Sequence, residues 1–272
     1  MNDHISTKPL TTLGRIGRSI LKRFMYSQMA ILSGLKIAIG KENPLVKFTV
    51  EKDPPSTYWV YRIKPSKIDQ LAQAIRLPGH FSLCPIRCLE TDEPEYWITI
   101  NAYRVSGLAN GLRAEWSVFI RDAENTPRYL IIDARSSTFS VDPLDIITRA
   151  STVIHEQRDG TIHTQIGEGE RAFRSTVSLS GPVSSVGVSR DWVSANDYIY
   201  WGNGICDRTF YDTGLSNTKQ SRIDKDQLEV RDESFWSQFV EPQPVHVLIY
   251  QNSIEFVISP WENIDRLHKD QA

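Results

Sequence analysis

The sequence predicts a β-rich α+β domain of antiparallel strands with a few flanking helices. Three observations carry this. From residue 96 onward, short runs rich in β-branched and aromatic residues alternate with Gly, Pro, Asn and Asp clusters. Only two stretches, 13–39 and 66–75, have helical spacing. The 272 residues are 40% hydrophobic and 24% charged, which suits one large folded domain and not a disordered chain.

The first element is the stretch 13–39. Leu13, Ile16, Ile20, Leu21, Phe24, Ile31, Leu32, Leu35 and Ile39 recur at steps of three and four, with Arg15, Arg18 and Lys22 opposite. Gly14, Gly17 and Gly34 weaken the helix. Residues 1–41 hold seven Lys or Arg against the one acid Asp3. That segment is +6 and the remainder −8, although the whole chain is only −2. The expected organisation is therefore a basic amphipathic arm, 1–45, ahead of a domain, 46–272. Two readings stay open: a helix packed on the domain, or an arm for a membrane surface or partner.

The second helix, 66–75, has Ser66 as its cap, Asp69 at the capping-box position, and Ile68, Leu71, Ala72 and Ile75 inward. Strands follow at 96–105, 112–121 and 128–135, forming a meander. A hairpin at 151–157 and 161–166 turns on Asp159-Gly160, which would set Glu156 opposite His163 as a surface pair. A strand at 171–179 and a second hairpin at 245–250 and 254–259 complete the set. Residues 202–232 are polar and turn-rich and read as a long excursion with a lid role. Trp192, Tyr198, Tyr200 and Trp201 form a dense aromatic cluster best explained by core packing.

Strand parity divides the meander into two faces. Leu112, Ala114, Trp116, Val118 and Ile120 are apolar; Arg113, Glu115, Ser117 and Phe119 oppose them. Trp97, Thr99, Asn101 and Tyr103 share one face of the preceding strand, and Tyr129, Ile131, Asp133 and Arg135 one face of the following strand. Pattern alone makes the mixed face solvent-exposed. The alternative is a ligand-holding interior, since polar groups among aromatics suit a small molecule.

Other chemistry is sparse. Cys84 and Cys88, with His80 nearby, have ligand-like spacing without an evident fourth ligand. Small buried thiols in a reducing compartment are expected, with no metal and no cofactor. The Rossmann, phosphate-loop, zinc and nucleophile-elbow motifs are absent from the sequence. The near-even charge gives no bias toward nucleic acid. The start lacks the order of a secretory signal, and no run of about 18 apolar residues occurs. A cytoplasmic location is expected, with membrane association open through residues 13–39. Homo-oligomer formation is also open.

The segment Leu77-Pro78-Gly79-His80-Phe81, the strand ending Asn101-Ala102-Tyr103, the segment Gly111-Leu112-Arg113-Ala114-Glu115-Trp116 and residues 128–135 together resemble the acetoacetate decarboxylase superfamily. Its members have a proline-glycine opening, a strand, and a second strand bearing an inward glutamate; Glu115 stands at that position. About a third of the chain carries the resemblance. It implies a closed antiparallel β-barrel around a ligand cavity, and so turns the mixed face inward. The decarboxylases use a Schiff-base lysine in a Pro-Lys-Lys segment after the third strand. Residues 140–149 here contain no lysine, and arginine cannot replace one.

The resemblance therefore implies acid–base, lyase-type chemistry without an imine, on a small carbonyl- or carboxylate-bearing molecule. Glu115 would be acid or base, Tyr103 a hydrogen-bond donor and Arg113 an anion clamp, with Asn101, Trp97, Asp133 and Arg135 lining the site. The alternative is a non-catalytic protein for an apolar ligand, docked peripherally on a membrane.

The arm can be tested directly. Each cation near an anionic surface contributes about 1 kcal/mol, decaying over a Debye length. The full chain is expected to float with anionic liposomes at low salt and less at high salt, and a form starting near Lys41 to stay unbound. Equal flotation of the two forms would leave residues 13–39 without a membrane role.

Overall fold

Strand sequence becomes strand where alternation predicts it, and in several places where it does not. The computed structural model describes residues 46–77, 79–107, 110–122, 125–137, 147–149, 152–181, 183–196, 198–201, 207–212 and 220–262. The chain divides into two units, Met1–Val46 and Lys47–Ala272. All of the first except Val46 lies outside the described residues, and with it the stripe at 13–39.

The strands are β1 (Val46–Val50), β2 (Ser56–Arg62), β3 (Ser82–Leu83), β4 (Trp97–Gly107), β5 (Gly111–Arg121), β6 (Pro127–Ser136), β7 (Ile147–Arg149), β8 (Val153–Arg158) and β9 (Thr161–Ile166). There follow β10 (Phe173–Ser178), β11 (Val183–Val186), β12 (Tyr198–Trp201), β13 (Asp207–Asp212), β14 (Gln220–Ile223), β15 (Leu228–Asp232), β16 (His246–Tyr250) and β17 (Ile254–Glu262). Two short helices flank them, α1 (Ile68–Ala74) and α2 (Arg190–Asn196).

The expected β-rich, largely antiparallel character is met. A 13-stranded sheet runs β11-β14-β16-β2-β4-β1-β17-β13-β12-β6-β5-β3, with β7 on β6. The long strand β4 binds β2 and β1 along one edge and β5 along the other. A second sheet, β15-β10-β9-β8, packs on the first. The core lies between them: Trp59, Ile98, Ile100, Trp116, Val118 and Leu130 from one side meet Val153, Ile162, Ile166, Phe173 and Val177 from the other. Trp59 Nε1 donates to Ser175 Oγ across the layers at 3.0 Å, and its ring meets Phe173 edge-on. That bond keeps the indole from being buried unpaired.

Several expectations are corrected. No side chain caps α1; a 3-10 turn, Pro65–Lys67, leads into it, so the Ser66–Asp69 box does not form. Its inward face does hold, with Leu71 and Ile75 buried. The stretches 245–250 and 254–259 are strands but not a hairpin: β16 pairs with β14 and β2, whereas β17 pairs with β13 and β1. The supposed excursion 202–232 contains β13, β14 and β15. The Asp159-Gly160 turn is as expected, both residues having positive φ, and Glu156 pairs with His163. Among the described residues, no helix is long and apolar enough to cross a membrane.

A polar tether also joins the two sheets. His155 on β8 is fully buried, with Nδ1 2.9 Å from Thr164 Oγ1 and Nε2 3.0 Å from the Pro55 carbonyl. A carbonyl only accepts, so Nε2 carries the proton and Nδ1 accepts from Thr164. Burial lowers the imidazole pKa from 6.5 to about 4, although the Pro55 carbonyl opposes the shift. The folded protein thus binds fewer protons than the unfolded chain between these values. This contribution is intact above pH 6.5, declines as pH falls toward 4, and is lost below; it amounts to about 3 kcal/mol. Urea unfolding from pH 7.5 to 4 should show the wild type losing about that much more stability than His155→Gln. Parallel profiles would show that His155 is not the group responsible.

Candidate functional site

Antiparallel register between β4 and β5 assembles the polar face. Thr99 lies opposite Ser117, Asn101 opposite Glu115, and Tyr103 opposite Arg113. Directly opposed residues share a face, and Arg113 and Glu115, two apart on one strand, do so as well. Tyr103 donates its hydroxyl to Glu115 Oε1 at 3.0 Å, and Arg113 forms an ion pair with the same oxygen. Asn101 Oδ1 accepts from Ser56 Oγ at 3.2 Å.

This face is not wet. Glu115 is 5% exposed, Asn101 3%, Tyr103 7%, and Thr99 and Ser117 fully buried. The solvent-exposed reading drawn from pattern alone is therefore overturned. Aromatic rings cover the rest of the wall. Tyr58 lies against Tyr250 and Trp192, with ring centroids 5.1 and 5.9 Å apart. Phe119 meets Trp192 at 5.2 Å and Tyr129 at 5.5 Å. The Tyr129 hydroxyl lies 3.2 Å from Thr99 Oγ1. Burial raises the pKa of Tyr58, Tyr129 and Tyr250, and for Tyr58 and Tyr129 the Glu115 charge adds to it. All three are neutral hydroxyls at physiological pH.

The seven residues expected at the site are not all together. Tyr103, Arg113, Glu115 and Asn101 converge. Trp97 is buried on the same face but at the far end of β4, where its Nε1 donates to the Ile86 carbonyl at 2.8 Å. Asp133 and Arg135 lie on the opposite face. A β-bulge is the reason: Ser117 pairs with Ile131 but Trp116 with Asp133, which leaves Ile132 as an extra residue and reverses parity beyond it. Asp133 accepts from Trp236 Nε1 at 3.2 Å, and Arg135 stacks over Trp116 at 5.7 Å. Ala134 and Ser136 occupy the positions beside Glu115 and Arg113 instead.

The sequence pattern does not single out Ser56, Tyr58 and Tyr250 as neighbours of this site, whereas parity places Tyr129 on its face, opposite Phe119. The run Ser-Thr-Tyr-Trp-Val-Tyr of β2 shows no polar alternation because both its faces are buried.

The expected cysteine spacing does not make a metal site. Cys84 donates to the Pro85 carbonyl, and His80 is exposed beside Phe81. Among the described residues, a different group of potential ligands converges: Cys88, Asp92 and His246. An open depression of about 390 Å³ lies on the outer face of the second sheet, lined by Ile154, Glu156, Arg158, His163 and Arg174 among others. Its charges are mixed, and Glu156 and Arg158 already pair at 2.9 Å.

Comparison with family models, with curated proteins and with solved structures finds no match to this chain.

The buried ion pair gives a direct test. Replacing one partner leaves the other charge uncompensated, at a cost of roughly 3 kcal/mol. Glu115→Gln should lose about that much stability, and adding Arg113→Met should recover part of it. Urea unfolding of the single and double variants measures both. A Glu115→Gln protein within about 0.5 kcal/mol of wild type would show that the pair is solvated.

Proposed function

We propose that the polar wall around Glu115 is the interior of a β-barrel that binds a small carbonyl- or carboxylate-bearing molecule. The observation that carries this is the convergence of Tyr103 and Arg113 on a single buried oxygen of Glu115. Such a cluster offers an anion clamp, a neutral donor and a proton-transfer group within one hydrogen-bonding distance. Barrel closure is supported by the pairings β4-β1-β17-β13-β12-β6-β5, because β5 also pairs with β4.

In the resting cluster the three groups satisfy one another. A ligand carboxylate would compete with Glu115 for Arg113, and Tyr103 would turn its hydroxyl to the ligand carbonyl. Glu115, freed of one partner, would then take or return the proton. Imine chemistry has no support on β4, β5 and β6, since no lysine occurs between Lys67 and Lys219. The rings of Tyr58, Phe119, Tyr129 and Trp192 on the same wall favour a second reading, in which an apolar ligand is held without turnover.

A panel of short 2-oxo and 3-oxo acids should separate these readings. Binding, and any decarboxylation or enolisation, is expected to be lost in Tyr103→Phe and Glu115→Gln while circular dichroism stays unchanged. Borohydride treatment with acetoacetate should leave the intact mass unaltered. A stoichiometric lysine adduct would overturn the acid–base reading. Turnover that survives both substitutions would overturn the site.

A further inference from the structure

We propose that Cys88, Asp92 and His246 form a site for a divalent transition-metal ion of the zinc type. The ligand atoms of the three residues all lie within 4.8 Å of one another. His246 Nε2 and Asp92 Oδ2 are 2.9 Å apart. Cys88 is fully buried and His246 is 6% exposed. This inference does not depend on the reading of Glu115.

The frame around the three ligands is rigid. Cys88 and Asp92 stand on one tight turn, in which Asp92 N donates to the Leu89 carbonyl at 3.1 Å and Leu89 N to Asp92 Oδ2 at 2.8 Å. The segment bearing that turn is clamped from several sides. Ile86 bridges Glu95 and Leu89 bridges Val188. Ser189 N donates to the Cys88 carbonyl at 2.9 Å, and Glu90 N to the Gly187 carbonyl at 3.2 Å. The third ligand comes from the regular strand β16, where His246 lies opposite Val60 of β2. A site with ligands on fixed backbone loses little entropy on filling.

The protein leaves this histidine half satisfied. Asp92 takes Nε2, and Nδ1 has no hydrogen-bond partner among the described residues. A buried ring nitrogen without a partner is uncommon, and the imidazole, the thiol and the carboxylate together make a metal-binding donor set. In tetrahedral zinc the ligand atoms sit roughly 3.3–3.6 Å apart, so side-chain adjustments of about 1 Å suffice.

Donor type selects the ion. One thiolate, one imidazole and one carboxylate suit zinc or cobalt(II), whereas calcium and magnesium require oxygen shells. On binding, the Cys88 S–H bond breaks, the sulfur–metal bond forms, and one proton leaves to solvent. The imidazole stays neutral, with its single proton on the nitrogen that does not hold the metal. Thiolate and carboxylate balance the two positive charges, so the centre is neutral and tolerates burial. Three protein ligands leave a fourth position for water or a small ligand.

The test uses the full chain, stripped with a chelator and titrated with cobalt(II) alone. One equivalent should produce a thiolate-to-cobalt charge-transfer band in the near ultraviolet and tetrahedral d–d bands in the visible. One proton should appear per ion bound, and zinc should bleach the spectrum. Cys84→Ser should leave the band unchanged, and Cys88→Ser should abolish it. Asp92→Asn and His246→Gln should weaken binding by at least about tenfold. Circular dichroism confirms folding of each variant. Folded wild-type protein that gives no charge-transfer band at stoichiometric cobalt overturns the proposal, whatever the variants do. So does a band that survives Cys88→Ser.

Discussion

The register between β4 and β5 is the constraint on which the rest of the structure depends. Residues 97–103 of β4 and 114–120 of β5 are buried on both faces, so these stretches have no wet side on which to leave a polar group. A slip of one residue would exchange the faces. Glu115 and Arg113 would then face the apolar layer beside Ile98 and Ile100, and Trp116 and Val118 would line the polar wall. Arg113 would travel with Glu115 but Tyr103 would stay behind, and a buried carboxylate short of partners costs several kcal/mol. In the observed register Tyr103 and Arg113 both reach Glu115, so the same pairing that seats the core also neutralises the buried charge. Core packing and site geometry are two consequences of one set of backbone hydrogen bonds.

The second sheet enforces the same choice from the other side. The buried inward positions of β8, β9 and β10 are apolar except for His155, Thr164 and Ser175. Each of these has a specific partner: Pro55 and Thr164 for the imidazole, Trp59 for Ser175. Hydrophobic contact is non-directional and would allow the layers to slide. Two polar bonds at fixed points do not. They tie β8 and β10 to β2 and to the segment before it, and so hold the back of the sheet whose front carries Tyr58 and Asn101.

The legible part of this architecture is the part governed by period-2 alternation over unbroken strands. The apolar face of β5 and the grouping of Asn101, Tyr103, Arg113 and Glu115 follow from parity alone. Parity misplaces Asp133 and Arg135 because one extra residue at Ile132 reverses it, and no turn or glycine marks the bulge in the sequence. The strand β2 is hidden because burial on both faces erases alternation. The stretches 245–250 and 254–259 look like a hairpin because each is strand-like and a short polar turn separates them. Their true partners are set by non-local pairing that short spacing does not encode. The Cys88–Asp92–His246 group was beyond reach for the same reason: Asp92 and His246 are 154 residues apart. Local spacing instead favoured Cys84 and His80.

The two polar clusters share one face of one sheet, and what separates them is informative. His246 on β16, Tyr58 on β2, Asn101 on β4 and Glu115 on β5 occupy consecutive strands with matching parity. Between the Glu115 pair and the Cys88 group stand Tyr58 and Tyr250, which are in ring contact. The Glu115 charge helps raise the pKa of Tyr58, and Cys88 contributes to that of Tyr250. Both phenols therefore stay neutral, and each can donate a hydrogen bond while accepting another. Neutral hydroxyls between two ionisable centres avoid the cost of a further buried charge. The ring contact between the two tyrosines thus partitions the aromatic interior without adding a charge to it.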